Sequence, residues 1–201
     1  LPFTLTADQK EAVEEIKKDL TSKTRMNRLL QGDVGSGKTI VAFIASYMNY
    51  LNGYQTAFMA PTEILATQHY QKAKELLEPY GMHIALLTGK LKASEKKEIQ
   101  EKIQQGVYDL VIGTHALISD KVTYSNLGLV ITDEQHRFGV QQRRELKNKG
   151  TTPDILYMSA TPIPRTYALT IYGDMDVSSI KTRPSGRKEI ITELYHEKNI
   201  K

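Results

Sequence analysis

The stretch Gly32-Asp-Val-Gly-Ser-Gly-Lys-Thr39 constrains the fold of this chain more than any other part of the sequence. It matches the pattern G-x-x-x-x-G-K-[ST], in which glycines let several backbone N–H groups turn inward around phosphate oxygens. An apolar strand, Arg28–Gln31, precedes the stretch, and a helix predicted over Ile40–Leu51 follows it. The positive end of that helix would point at the same anion. The pattern therefore predicts a strand, a phosphate-binding loop and a helix, in that order.

Each residue of this loop has a predicted role. Lys38 is expected to reach the β- and γ-phosphates of ATP, and the Thr39 hydroxyl is expected to ligate Mg²⁺. The alternative, a glycine-rich turn with an exposed lysine, does not explain why the motif joins an apolar strand to a helix. The backbone that cradles the phosphates is predicted to come from Gly32, Asp33, Val34, Gly35, Ser36 and Gly37.

Short apolar strands alternate with helical patterns along the rest of the chain. Fully apolar strands separated by helices indicate an α/β fold, with a doubly wound and mostly parallel sheet that is covered on both faces. We expect one domain over residues 1–181 and a linker over 182–201. The predicted strands are Thr56–Ala60, Ile84–Leu87, Leu110–Ile112, Leu129–Ile131 and Ile155–Met158. The predicted helices start at a capping box over Thr6–Gln9, at Pro61, after Ser94 and at Arg165, and the last three run to Leu77, Gln105 and Tyr172.

Composition narrows the possible classes of protein. The chain has 201 residues, enough for one well-buried domain, and its 40% hydrophobic and 25% charged residues disfavour disorder. No apolar run approaches the length of a membrane span, no signal peptide is recognisable, and there is no initiator Met, so we expect a fragment of a longer protein. The absence of cysteine excludes thiolate metal sites and fits a cytoplasmic location. The net charge of +4 suits a polyanionic partner without identifying one.

A second apolar strand ends in two acids, Asp133 and Glu134. Beside a phosphate-binding loop, a carboxylate at a strand end can hold the shell of a bound Mg²⁺ ion, and we assign this role to Asp133. Glu134, one residue on, is placed to polarise the water that attacks the γ-phosphoryl group. Capping of a helix is the alternative role for the two acids. Together Lys38, Asp133 and Glu134 form the predicted catalytic set.

Five motifs, in a fixed order, carry a family resemblance. Asp133-Glu-Gln-His136 resembles the DExH box of superfamily 2 helicases, and Ser159-Ala-Thr161 resembles their motif III. Ala60-Pro-Thr-Glu63 resembles motif Ia, Ile112-Gly-Thr-His115 resembles a motif of the Ib–Ic region, and Thr6–Gln9 resembles the Q-motif. The set covers nearly the whole chain. The resemblance implies a RecA-like domain that binds ATP and Mg²⁺ and acts as a helicase motor.

The residues around these motifs narrow the resemblance further. The runs Asp133–Arg143 and Met158–Thr166 are similar to bacterial helicases that remodel branched DNA, such as stalled forks and Holliday junctions. This similarity implies ATP-dependent DNA unwinding during recombination and repair. There are three alternatives. The first is the motor of a transcription-repair coupling translocase, and the second is a small-molecule P-loop kinase, which would leave the helicase-like motifs without a role. The third is a non-catalytic, nucleotide-gated binding module, which does not explain the intact catalytic set.

The resemblance also implies partners for this domain. These are DNA, contacted through its phosphate backbone, and two further parts of the same protein, a wedge domain and a second RecA-like domain. In this family the second RecA-like domain supplies an arginine finger, and nothing within 182–201 resembles one. The chain by itself is therefore expected to bind nucleotide but to hydrolyse it poorly.

Further residues take their roles from the same motifs. Gln9 is expected to read the adenine edge, with its capping-box role as a compatible alternative. Coupling of the nucleotide to DNA is expected from His136, Ser159, Thr161 and Arg165, for which turn capping and surface charge are the alternatives. Strand ends and helix starts at one sheet edge predict phosphate contacts that do not depend on DNA sequence. The predicted DNA-binding residues are Pro61, Thr62, Thr88, Gly89, Gly113 and Thr114.

Overall fold

A seven-stranded sheet, in which every pair of neighbouring strands runs parallel, organises the chain. The computed structural model describes residues 4–33, 35–133, 152–160 and 175–181. The strand order is β3-β4-β2-β5-β6-β1-β7. The strands are β1 (Asn27–Gly32), β2 (Gln55–Met59), β3 (Ile84–Leu87), β4 (Leu110–Gly113), β5 (Leu127–Thr132), β6 (Asp154–Ser159) and β7 (Asp176–Ile180). The helices are α1 (Ala7–Leu20), α2 (Lys38–Leu51), α3 (Glu63–Leu77) and α4 (Ala93–Gln104), with 3-10 turns at Glu78–Tyr80 and His115–Ile118.

The hydrophobic core lies on both faces of this sheet. Successive strand residues alternate between two buried clusters: Leu30 and Ile112 belong to one, and their neighbours Leu29 and Val111 belong to the other. Side chains that alternate along a strand point to opposite faces, so both faces are covered. This arrangement explains the apolar runs from which the strands were predicted, and it confirms the predicted α/β class.

The helix starts test the predicted capping signals. The capping box of α1 is confirmed: Thr6 Oγ1 accepts the Gln9 N–H at 3.2 Å, and Gln9 Oε1 accepts the Thr6 N–H at 2.8 Å. The predicted start of α3 at Pro61 is wrong by two residues, because the Thr62 hydroxyl caps the helix through the Leu65 N–H. The predicted Ser94 cap of α4 is also wrong. The Glu95 carboxylate accepts the Lys92 N–H at 3.1 Å, so Lys92 is the N-cap residue and Ser94 lies inside the helix.

The edge strand β7 was not predicted from the sequence. Only two of its five residues, Ser178 and Ile180, are buried, so it lacks the apolar run that marks the other strands. It pairs in parallel with β1, which places Ile180 directly opposite Gly32. The predicted helix Arg165–Tyr172 and the linker over 182–201 lie outside the described residues. Within the described ranges, no helix combines the length and the apolar character that a membrane span requires.

Arg28, on β1, connects this strand to α1 and to the edge strand β7. Its guanidinium, which is almost fully buried, pairs with Asp19 at 2.7 Å and with Glu15 at 3.1 Å, both on α1. It also donates to Ser178 Oγ on β7 at 3.0 Å. Burial lowers the pKa of Arg28, but the Asp19 hydrogen bond and the neighbouring carboxylates outweigh burial, and the net effect raises the pKa. The guanidinium therefore remains charged and holds α1, β1 and β7 together.

The substitution Arg28→Ala should destabilise the chain. It removes the partner of two carboxylates and of a buried hydroxyl, so the free energy of unfolding should fall by roughly 2–3 kcal/mol. Urea unfolding followed by circular dichroism measures this change. The control is Lys102→Ala, because the Lys102–Glu98 pair is an exposed i,i+4 contact and its loss should have no measurable effect. Equal effects of the two substitutions would contradict this role for Arg28.

Candidate nucleotide-binding site

The site lies where β1, β6 and β5 end side by side. Parallel pairing brings the carboxyl ends of all strands to one edge of the sheet, where open α/β sheets bind ligands. Along β6, Tyr157 pairs with Thr132, and Ser159 pairs with Gln31. The phosphate-binding loop after β1 and Asp133 after β5 therefore flank the end of β6.

The loop has the backbone that an anion cradle requires. Gly37 is the N-cap of α2 and adopts φ 94°, a left-handed conformation that favours glycine, and no side chain caps the helix there. The first N–H groups of α2 are therefore directed at the loop without a side-chain acceptor at the N-cap. Ser36 Oγ is buried and has no hydrogen-bond partner among the described residues. A buried hydroxyl without a partner is costly, and a phosphate oxygen would satisfy it.

Gly32 is required at the base of the loop for a different reason. A Cβ atom at this position would lie 2.6 Å from Ser36 Oγ and 2.9 Å from the carbonyl oxygen of Ile180. The second contact is with backbone of the paired strand β7, which cannot rotate away. The close approach of loop and strand therefore excludes any side chain at Gly32.

Lys38 is directed back into the loop. Its side chain is buried, and its ammonium group donates to the carbonyl oxygens of Gly32 and, at 3.2 Å, Asp33. These carbonyls belong to the predicted phosphate cradle, so the charged group already lies at the predicted phosphate position. Thr39, in the first turn of α2, is half-buried beside it.

Gln9 connects α1 to the same loop. Its amide nitrogen lies 3.5 Å from the carbonyl oxygen of Ser36 and 3.4 Å from that of Gly37, which are long hydrogen bonds. Its amide oxygen takes part in the capping box with Thr6. Adenine recognition by Gln9 stays a prediction, and it would require the amide to exchange these internal contacts for the base.

Asp133 contacts a residue that the sequence analysis did not single out. Its carboxylate oxygen Oδ2 lies 2.6 Å from Nε2 of His69, on α3. Both side chains are mostly buried, with exposures of 12% and 13%. A lone histidine within a helix carries no local signal for such a contact, because the pairing depends on the adjacency of β2 and β5. The sequence places His69 seven residues after the Thr62 N-cap, which is two turns into α3. It does not indicate which strand this part of the helix packs against.

The predicted DNA-binding residues lie at the same sheet edge, after β2, β3 and β4. Thr62 is exposed, Pro61 and Thr114 are half-buried, and Thr88 is buried. The Gly89 N–H donates to the Glu63 carboxylate at 2.5 Å, which ties the end of β3 to the first turn of α3. The Gly89 N–H is therefore already engaged by an acidic side chain.

Gly113 has a packing role that is independent of DNA. A Cβ atom there would lie 2.5 Å from the backbone oxygen of Leu87 and 3.0 Å from the Leu117 side chain. The tight packing of β4 against β3 is sufficient reason for glycine at this position. Contact of Gly113 with DNA stays a prediction.

Ser159 is the one predicted coupling residue within the part of the chain that the structure describes. Ser159 lies at the end of β6, in register with Gln31 and half-buried, between the loop and Asp133. Its position is compatible with the predicted coupling role. The residues Val34, Glu134, His136, Thr161 and Arg165 lie outside the described residues.

The donor set fits ATP with Mg²⁺. The buried Ser36 hydroxyl, the first turn of α2 and the Lys38 ammonium meet at one loop, where they could bind an anion, and Thr39 and Asp133 carry oxygen atoms that could ligate a cation beside it. No group of three or more His, Asp or Glu residues forms a metal cage among the residues that the structure describes. Magnesium rarely needs such a cage, because phosphates and waters complete its octahedral shell.

Comparison with known proteins extends this assignment. The DEAD/DEAH box helicase family matches residues 6–170. Among curated relatives, the ATP-dependent DNA helicase RecG of Aquifex aeolicus is 58% identical over 199 residues, covering 98% of this chain and 25% of the relative. The same helicase of Bacillus subtilis is 56% identical over 192 residues, covering 96% and 28%. The chain thus spans about a quarter of the length of these relatives. This result confirms the similarity to bacterial DNA helicases that was predicted from the runs Asp133–Arg143 and Met158–Thr166.

Solved structures agree with this result. A structure of RecG bound to a three-way DNA junction has a TM-score of 0.83 and 54% identity, covering 94% of this chain and 25% of that chain. The Hef helicase domain of Pyrococcus furiosus has a TM-score of 0.63 at 20% identity and covers 86% of this chain, so it supports the fold alone.

The geometry of the loop predicts that Gly32→Ala impairs nucleotide binding. The added methyl group would displace either the Ser36 hydroxyl or β7, so affinity for ATP should fall by at least about tenfold, or 1.4 kcal/mol. Titration with a fluorescent ATP analogue measures this loss. The control is Gly53→Ala, which introduces strain at φ 85° but meets no atom within 4 Å and lies far from the loop. Its affinity should be unchanged, and a similar loss there would attribute the effect to general destabilisation.

Proposed function

Because this chain belongs to the DEAD/DEAH box helicase family, we propose that it is the ATP-binding motor domain of an ATP-dependent DNA helicase that remodels branched DNA. The substrates are stalled forks and Holliday junctions, in recombination and repair. The observation that carries the proposal is similarity to RecG along nearly the whole chain, including RecG bound to a three-way junction. The phosphate cradle after β1 supports the ATP-binding part of the proposal.

The chemical role of the domain is to bind ATP for attack by water on the γ-phosphoryl group. Lys38 exchanges the carbonyls of Gly32 and Asp33 for the β- and γ-phosphate oxygens, and the Ser36 hydroxyl gains an acceptor there. Thr39 and Asp133 would hold Mg²⁺. When bound, this ion neutralises charge that develops on the phosphates. The protein supplies orientation and fixed positive charge, which contribute most in a site that excludes water.

Hydrolysis and its coupling to DNA involve residues beyond this cradle. Glu134, which directly follows Asp133 in the chain, orients the attacking water. Ser159 supports coupling by its position between the P-loop and Asp133, and His136, Thr161 and Arg165 act with it. On the DNA side, Thr62 and the first turn of α3 contact the phosphate backbone at the edge of the sheet.

The proposal includes the rest of the protein. Residues 1–181 form the first RecA-like domain, and 182–201 link it to a second RecA-like domain of the same chain. That domain supplies the arginine finger, and a wedge domain grips the junction. The whole protein acts in the bacterial cytoplasm.

Phosphate release with and without forked DNA tests the proposed function. The full-length protein should hydrolyse ATP faster when forked DNA is added, and it should separate the strands of the fork. The present chain alone should hydrolyse ATP slowly and respond little to DNA, since an arginine finger contributes a factor of ~10³–10⁵. Lys38→Ala in the full-length protein should abolish turnover.

The matched control is Lys97→Ala, because Lys97 is exposed on α4, a helix that carries no predicted site residue. It should retain full turnover. Unchanged activity of Lys38→Ala would contradict the assignment of the nucleotide site. DNA-stimulated hydrolysis without strand separation would favour the translocase alternative, and strong DNA-stimulated turnover by the chain alone would place the finger within it.

Binding of single-stranded DNA tests the predicted contacts. The present chain should bind weakly, without sequence preference, and with affinity that falls steeply as salt is raised. Three phosphate contacts would give roughly a twentyfold loss for a fourfold increase in salt, because each contact releases counterions. Fluorescence anisotropy over a salt series measures the slope. Tight binding that survives high salt, or discrimination between sequences of equal length, would rule out contacts made mainly to phosphates.

A further inference from the structure

The contact between His69 and Asp133 is built from two elements that are remote in sequence. His69 lies in the second turn of α3, and Asp133 follows β5, 64 residues further along the chain. The atoms Nε2 and Oδ2 are 2.6 Å apart, slightly shorter than the roughly 2.7–2.9 Å usual for a charge-assisted N–H···O hydrogen bond. An ionised carboxylate can only accept, so Nε2 is the donor.

Strand β2 holds both members of this pair. The His69 ring packs against Phe58, with ring centroids 4.9 Å apart, and Phe58 is fully buried. The next residue, Met59, accepts the Asp133 N–H through its backbone oxygen at 2.8 Å. Consecutive residues of one buried strand therefore fix the imidazole ring and the backbone of the carboxylate. The imidazole ring cannot turn away without losing its contact with Phe58, and the backbone from which the carboxylate extends is held by Met59.

We propose that His69 is a positioning residue for Asp133, and the proposal rests on the proposed function. By engaging Oδ2, His69 sets the orientation of the carboxylate that would hold the shell of a bound Mg²⁺ ion. Residues that orient metal-binding side chains commonly change metal affinity by about 10- to 100-fold when they are replaced. The polar contact of His69 is with Asp133, so its effect on the metal would act through that carboxylate.

Two substitutions separate the hydrogen bond from simple packing. His69→Phe keeps an aromatic ring against Phe58 but removes the donor to Asp133. His69→Gln loses the ring but keeps an N–H donor of similar reach. A packing role predicts that phenylalanine is the better replacement, whereas a positioning role predicts that glutamine is better.

The experiment measures Mg²⁺-dependent binding of a fluorescent ATP analogue to the full-length protein. For His69→Phe, the Mg²⁺ concentration that gives half of the metal-dependent gain in affinity should rise by at least about tenfold. Affinity for the analogue without Mg²⁺ should stay within about twofold of the unsubstituted protein, because the P-loop is unchanged. His69→Gln should recover most of the metal response. His69→Asn, whose amide is one methylene shorter, should fail as His69→Phe does.

The chain contains a matched control pair. His83 also contacts an aspartate, Asp109, through Nδ1 at 3.3 Å, but its side chain is 70% exposed and away from the nucleotide site. His83→Phe should leave the Mg²⁺ requirement unchanged.

Three results would overturn the role of His69: an unchanged Mg²⁺ requirement for His69→Phe, an equal loss of affinity with and without Mg²⁺, or a better response from His69→Phe than from His69→Gln. Failure of the unsubstituted protein to bind the analogue would instead overturn the proposed function, and the role of His69 with it.

Discussion

The hydrogen-bonded ladders on the two sides of β6 determine where the nucleotide site lies. On one side, Ser159 is in register with Gln31, the residue before Gly32 of the phosphate-binding loop. On the other side, Tyr157 is in register with Thr132, the residue before Asp133. A slip of one residue in either ladder would shift the loop relative to the carboxylate and would turn each buried strand residue to the opposite face.

A buried carboxylate anchors this register at the other end of the ladder. Asp154, the first residue of β6, accepts the Met26 N–H at 2.6 Å, just before β1 begins. Burial raises the pKa of Asp154, although the hydrogen bond from Met26 opposes this effect. Arg28 adds a second anchor through its contacts with α1 and β7. The edge proposed to bind nucleotide is thus held in place by polar contacts at the opposite ends of the same strands.

Helix α3 connects the two proposed functions of the domain. Its N-cap, Thr62, lies at the edge proposed for DNA, and His69, two turns on, contacts Asp133. Glu63, in the first turn, binds the Gly89 N–H after β3. Because protein interiors are close-packed and a helix moves as a stiff element, a displacement of α3 at the DNA edge would also shift His69 and the Asp133 carboxylate. This connection between Thr62 and Asp133 follows from packing and not from their motifs.

Much of this arrangement could be predicted from the sequence because its signals are local. The glycines around Lys38, the apolar strands and the Thr6–Gln9 capping box each occupy a few consecutive residues, and their chemistry determines the local backbone directly. These signals predicted the fold class and the order of the elements from α1 to β6, which the structure confirms, and they predicted the nucleotide site. Their boundaries were less certain, since Glu95 and Thr62, rather than Ser94 and Pro61, supply the caps.

The sequence by itself therefore determined that a phosphate cradle is followed by a carboxylate strand within a parallel α/β sheet. Tertiary structure alone decided that β7 adds to the edge of the sheet, that Ile180 closes the space above Gly32, and that His69 meets Asp133. The physical reason is that strand order and the packing of helices on the sheet bring together residues far apart in the chain. No periodicity or motif around these residues indicates such a contact, because the packing interactions that select it form only in the folded core.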